Sequence, residues 1–141
     1  SRWVLVMTSF ERALYRDPSQ DLNALWWREV ERFQKIKAPA RPPGAADWAA
    51  KYHIGLAPVY YFSYLLGELF ASQIQKVLRE RYQVSFLQKE EVGQFLRERL
   101  FAPGNRMPWD ELVVYTVGEP LSSDAWIAEF AAPLAQKGEI G

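Results

Sequence analysis

Residues Lys51 to Phe70 read KYHIGLAPVYYFSYLLGELF, and how they fold decides the architecture of the chain. The run from Ile54 to Gly67 carries no charge, yet it is shorter than the roughly 20 residues that a bilayer-spanning helix needs. It also contains phenols and a proline, so it reads as a buried helix of a globular protein. Pro58 suits a first helical turn, where a missing amide costs nothing. A helix is therefore expected from Pro58 to about Tyr82, apolar from Val59 to Phe70 and charged from Lys76 to Arg81. Such a rod is expected to be buried at its first end and solvated at its second. The same stretch concentrates Lys51, the only histidine of the chain (His53), and Tyr60, Tyr61 and Tyr64.

The flanking sequence has the same helical period. Trp3, Met7, Phe10 and Leu14 fall on one stripe of a helix expected to run to about Tyr15, where Asp17-Pro18 stops it. Asp21 is a candidate N-cap for a second helix that buries Leu22, Trp26, Val30 and Phe33, with Glu31 and Lys35 as an i,i+4 pair on its wet side. The run KAPARPPG at Lys37 to Gly44 is a proline-rich connector with extended backbone, and Asp47 to Tyr52 fits one short helical turn.

Beyond the long helix, Ser85 with Gln88 forms a capping box for a helix burying Val92, Phe95, Leu96 and Leu100, closed by Pro103-Gly104-Asn105. Pro108 with Asp110 and Glu111 opens a helix that turns Trp109, Leu112, Val113 and Thr116 to one side, and Gly118 and Pro120 close it. Ser122 or Ser123 caps a last helix that buries Trp126 or Ile127, Phe130, Ala131 and Leu134. No segment alternates with period two for long enough to make a strand. The expectation is an all-α fold of six or seven helices forming a single helical domain over residues 1–141.

Composition narrows the function classes. The 17 basic and 17 acidic residues cancel and are scattered along the helices, so no basic stripe is present to neutralise a phosphate backbone, and nucleic acid is not an expected partner. No membrane span is expected either. With no cysteine, disulfides, thiolate metal sites and cysteine nucleophiles are all excluded. One histidine with scattered carboxylates gives no metal-ligand spacing, and no serine lies in a nucleophile-elbow pattern. No targeting segment is visible, so the residues indicate no compartment.

What Lys51 to Tyr64 does offer is charge stabilisation. Tyr61 and Tyr64 are three apart, and Tyr60 meets Tyr64 at i,i+4, so on a helix their rings are neighbours. Phenol hydroxyls in a dry cleft can donate to an oxyanion, a lysine can hold a carboxylate, and an imidazole can donate to a peptide carbonyl. Spacing alone favours the ordinary roles of these residues. Tyrosines pack their rings and send the hydroxyl to water, a histidine before a helix caps it, and a lysine lies on the surface.

The order of residues adds a further argument. LNALWWREVERFQ at Leu22 to Gln34 resembles the N-x-x-W-W-x-L-R-x-x-Y-Q segment of the peptidyl-dipeptidase A family, the family of angiotensin-converting enzyme. Ala50-Lys51-Tyr52-His53-Ile54 is similar to its G-A-K-F-H-I segment, and EEVGQFL at Glu90 to Leu96 to its K-E-A-G-Q-R-L. PWDELVVYTVGEPLSSDAWIAEFAAPL, Pro108 to Leu134, resembles the family's P-W-x-E ending. The matches are collinear from about Trp3 to Leu134.

The resemblance implies the C-terminal part of a helical zinc metallopeptidase that releases C-terminal dipeptides from oligopeptides. The H-E-x-x-H zinc motif and its downstream glutamate would then lie upstream of Ser1, in a missing N-terminal part of the same enzyme. The segment alone is expected to bind no zinc and to be inactive. By position, Lys51 matches the lysine that holds the substrate carboxylate and His53 the histidine that bonds the substrate backbone.

The family spacing from the histidine places its first tyrosine at Tyr60, and the second then falls on Ser63. Shifting by one residue gives Tyr61 and Tyr64. The shifted register also resembles the Y-Y-G-Y-L-W-S-E-x-F of the thimet oligopeptidase family, and it implies Tyr64 as oxyanion donor with Tyr61 as carboxylate partner. Ser63 stands where animal members have a chloride-site arginine, and the cysteine pair of those members is missing around Leu78 to Lys89, which implies a bacterial type. A zinc-free peptide-binding or scaffold protein and a related metallocarboxypeptidase are the alternative functions. The half-groove is expected to be covered by its own termini or by a second copy, as a homo-oligomer.

Overall fold

The computed structural model describes residues 1–83 and 89–132. Every regular element among them is helical: α1 (Arg2–Arg16), α2 (Leu22–Gln34), α3 (Tyr52–Gly55), α4 (Phe62–Tyr82), α5 (Glu90–Leu96), α6 (Trp109–Val117) and α7 (Asp124–Trp126). The fold is all-α with seven helices among the described residues, as the periodicity predicts. No helix of these residues is long and apolar enough to cross a membrane. The chain divides into two compact units, residues 1–65 and 66–141, and the boundary falls inside α4.

In the first unit α1 packs on α2. Val6, Met7 and Phe10 of α1 meet Leu25, Trp26 and Val30 of α2 in one buried cluster, which Ile54 of α3 also enters. Trp26 is only 2% exposed and receives the edges of Trp3 and Phe10 at 5.6 and 5.2 Å. Asp17 ends α1 as expected, and its carboxylate accepts from the Ser19 amide (3.0 Å) and hydroxyl (2.6 Å). The Ser19 hydroxyl, then the Ser19 amide, hold the Asp17 carboxyl below its usual range. Asp21 caps α2 by accepting from the Ala24 amide at 2.9 Å.

The second unit buries Leu78 of α4 against Val92 and Phe95 of α5. Gln73, 1% exposed, is its polar anchor. The Gln73 amide nitrogen donates to the Pro120 carbonyl at 3.0 Å, and its oxygen accepts from the Ser122 amide at 3.2 Å. These bonds fasten the segment after α6 to α4. Lys76 adds a 3.2 Å ion pair with Glu119, and this hydrogen bond and its charge raise the lysine pKa. Ser123 occupies the N-cap position of α7, but the cap oxygen comes from Ser122, which accepts from the Asp124 amide at 3.0 Å.

Several expectations are corrected. The long helix begins at Phe62 rather than Pro58, because Val59 adopts a left-handed backbone (φ 56°), a conformation that costs a β-branched residue about 1–3 kcal/mol and cannot continue a right-handed helix. Its charged end is solvated as expected, with residues 79–81 exposed, but its first end is not buried. Val59, Phe62 and Tyr64 are exposed, whereas the buried residues of α4 are Ser72, Gln73 and Leu78 in its middle and second half. The short helix is at Tyr52–Gly55, preceded by turns over 47–50.

Lys35 lies past the end of α2 in a left-handed conformation (φ 61°), so it is not the i+4 partner of Glu31; the ion pairs along this helix join Glu29 to Arg32 at 3.6 Å and to Arg28 at 4.0 Å. Of the two alternatives in the last helix, Trp126 is half-buried and Ile127 exposed; Phe130 is exposed rather than buried, while Ala125 is buried. Helices α5 and α7 each run on into a wider π-helical turn, Arg97–Phe101 and Ile127–Ala131. The Ser85 and Gln88 capping box and Leu134 lie outside the described residues.

Replacing Gln73 by leucine strands the Ser122 amide and the Pro120 carbonyl without partners. Denaturant unfolding is expected to show a loss of about 1–3 kcal/mol, the cost of buried polar groups left unsatisfied. For Asp17 the linkage sign follows from a depressed pKa: its contribution is present above the usual carboxylate range and is lost as pH falls through the lowered value. In Ser19→Ala, an NMR titration is expected to show the Asp17 pKa moving upward.

Candidate functional site

Three local features bring the predicted residues together. Lys51 caps α3, its carbonyl accepting from the Ile54 and Gly55 amides at 2.9 and 3.1 Å. Burial of Ile54 in the core cluster fixes α3 against α1 and α2, which leaves His53, on the other side of that short turn, half-buried. The chain then reverses over residues 56–61 and starts α4, so Tyr60, Tyr61 and Tyr64 return to the imidazole.

The contacts are direct. The Tyr64 hydroxyl lies 3.3 Å from His53 Nε2. Tyr61 and Tyr64 present their rings edge-on to the imidazole at 4.8 and 5.6 Å, and Tyr60 lies parallel to it at 6.3 Å. Tyr61 and Tyr64 are themselves 5.0 Å apart. Sequence reasoning missed Tyr52, whose ring meets His53 edge-on at 5.2 Å; its position next to the histidine was the available signal.

Lys51 is on the same element, but its ammonium lies over the indoles of Trp3 and Trp26, 5.6 Å from each centroid. Among the described residues it has no acidic partner, so its charge is held by the rings and not neutralised. The face around these groups is open: Tyr64 is 48% exposed and Leu56, in the turn beside it, 77%. The arrangement gives an imidazole ringed by phenols on an open face and, on the residue two before it, a cation that lies over indoles and has no acidic partner among the described residues. It can donate to carbonyl or oxyanion oxygens and attract a carboxylate.

A separate cavity of about 360 Å³ lies between α2 and the proline-rich connector, lined by Trp27, Pro39, Arg41 and Pro42 among others. Its polar groups are already paired internally, since Trp27 and Arg41 both donate to Asp47, at 3.2 and 2.9 Å.

The family model for angiotensin-converting enzyme matches residues 7–138. The chain belongs to that family. No curated protein and no solved structure matches the chain with significance. Peptidases of the angiotensin-converting enzyme family are zinc-dependent in general. The residues described do not fit a zinc site: the chain has one histidine and no cysteine, and no three His, Asp or Glu side chains are grouped to hold a metal among the described residues. The family's zinc is therefore assigned no ligand on these residues.

Because Tyr64 is half exposed, Tyr64→Phe is expected to change unfolding stability by no more than about 0.5 kcal/mol. The sole imidazole gives a single set of histidine NMR signals, and in that variant its ring nitrogen shifts should move as the 3.3 Å contact is lost.

Proposed function

We propose that the chain supplies the substrate-facing wall of a bacterial-type peptidyl-dipeptidase, an enzyme that releases C-terminal dipeptides from oligopeptides, as the C-terminal portion of its catalytic domain. The family match supports a peptidase. The observation that carries the finer reading is the Tyr64 hydroxyl 3.3 Å from the His53 imidazole on an open face. In this reading the zinc ligands lie outside residues 1–141, in another part of the same enzyme, which also covers the exposed aromatic face.

The residues then divide the work. With a proton on Nε2, His53 donates to the Tyr64 oxygen, and the phenol proton remains free for the oxyanion that develops on the attacked peptide carbonyl. The same Nε2–H is the donor for a substrate backbone carbonyl when one enters. Lys51 takes the C-terminal carboxylate, its charge having no acidic partner among the described residues, and Tyr61 provides the second donor to that carboxylate. Tyr60 lines the same wall and widens the aromatic surface that the peptide meets. A dry cleft strengthens all of these interactions, because charge and dipole act there with little screening.

In the complete enzyme, Tyr64→Phe is expected to lower kcat by about 10²- to 10³-fold with little change in KM, the signature of a donor used in the transition state. An unchanged kcat removes Tyr64 from the oxyanion role. Lys51→Met is expected to raise KM for peptides with a free C-terminus and to leave amidated peptides unaffected. The 141-residue chain alone is expected to release no dipeptide and to retain no stoichiometric zinc after dialysis, checked by product analysis and elemental analysis.

A further inference from the structure

Glu11 is the one acidic residue of α1 in the buried interior of the first unit, and the proposed catalytic role of the tyrosines gives it no task. Its carboxylate is not idle: Oε1 accepts the backbone amide of Val59, 48 residues away in sequence. Val59 is the residue whose left-handed backbone (φ 56°) ends the turn after α3 and delays the start of α4 to Phe62. A β-branched side chain resists that conformation, so an acceptor fixed on the core is needed to hold it. Val59 is itself exposed and makes no core contact that could do so.

The consequence is geometric. Tyr60 follows Val59 directly, and the helical winding of Tyr61 to Tyr64 begins from it: the Tyr60 carbonyl accepts from the Ser63 amide at 3.0 Å and from the Ser63 hydroxyl at 2.7 Å. If Val59 relaxed to a right-handed conformation, the helix would start earlier and rotate all three phenols away from His53. The imidazole itself would stay, since Ile54 holds α3 by a different set of contacts.

We propose that Glu11 is a positioning residue: through the Val59 amide it fixes the left-handed turn that brings Tyr60, Tyr61 and Tyr64 onto His53. The consequence for turnover rests on the peptidase reading given above, whereas the geometry does not, so the test reads the geometry directly.

The experiment uses the full 141-residue chain, in which His53 is the only histidine. Three variants are compared with the parent by circular dichroism, amide exchange at residue 59 and nuclear Overhauser contacts between the His53 and Tyr64 rings. Glu11→Gln keeps an acceptor oxygen and is expected to retain the ring contacts. Glu11→Met removes it at similar volume; the residue 59 amide should exchange about tenfold faster or more, as expected for a lost bond to a charged acceptor, and the ring contacts should disappear.

Adding Val59→Gly to Glu11→Met should restore the ring contacts, because glycine holds a positive φ without an external acceptor. Undiminished His53 to Tyr64 contacts in Glu11→Met overturn the proposal. So does a loss that Val59→Gly fails to restore, which assigns Glu11 to general packing. Should Glu11→Met alone be unfolded, the double variant decides: a folded one with ring contacts supports the proposal, and an unfolded one overturns it. A failed Tyr64→Phe test in the complete enzyme would remove the catalytic reading and leave these ring measurements unchanged.

Discussion

Trp26 lies between the edges of Trp3 and Phe10, and the candidate site is suspended from that contact. Phe10 also meets Trp48, 5.6 Å away, and Trp48 reaches back to α2 by donating to Asn23 at 3.0 Å. The connector after α2 is therefore tied at its far end to the helix pair where it began. That fastening puts Lys51 over the indoles of Trp3 and Trp26, drops Ile54 into the same apolar cluster, and leaves His53 facing outward. Loss of the Trp26 ring would remove about 3–5 kcal/mol of packing and also the surface that holds the lysine.

The helix that bears the tyrosines obeys a different constraint. Hydropathy alone would bury its first half, yet in the structure its buried residues are Ser72, Gln73 and Leu78. Gln73 can be buried because both ends of its amide are bonded, to the Pro120 carbonyl and the Ser122 amide. The phenols at the other end are tolerated in water because each carries its own hydroxyl. An apolar count measures neither of these properties. What decides burial here is whether polar atoms find partners, and that is set by segments tens of residues away.

The same distinction marks what could be read from the residues. Helices α1 and α2, their caps at Asp17 and Asp21, and the buried face of α5 are local, periodic features, and each was legible. So was the order of motifs that places the chain in its family. The start of α4 was not legible, because Pro58 is an acceptable first-turn residue and nothing nearby requires a left-handed valine. The partner that accepts from that valine is Glu11, whose position in the amphipathic pattern of α1 gives no hint of it. Lys51, read as a carboxylate partner, sits over indoles that only the folded α1 and α2 bring together.

The meeting of Tyr61 with Tyr64 was predicted from helical spacing, although Tyr61 precedes the first residue of α4. The neighbourhood survives because the turn is already wound. The Tyr64 amide donates to the Tyr61 carbonyl at 3.3 Å and the Ser63 amide to Tyr60 at 3.0 Å, both i→i+3 bonds of a 3₁₀-like first turn. A 3₁₀ turn overlays residues three apart more closely than an α-turn does, which accounts for the 5.0 Å ring separation. Tyr60 gains from the same winding, its ring lying edge-on to Tyr64 at 6.0 Å. The two registers thus differ in what they set beside the imidazole: the unshifted one pairs Tyr60, parallel to the ring at 6.3 Å, with Ser63, and the shifted one pairs Tyr61, edge-on at 4.8 Å, with Tyr64, whose hydroxyl lies 3.3 Å from His53.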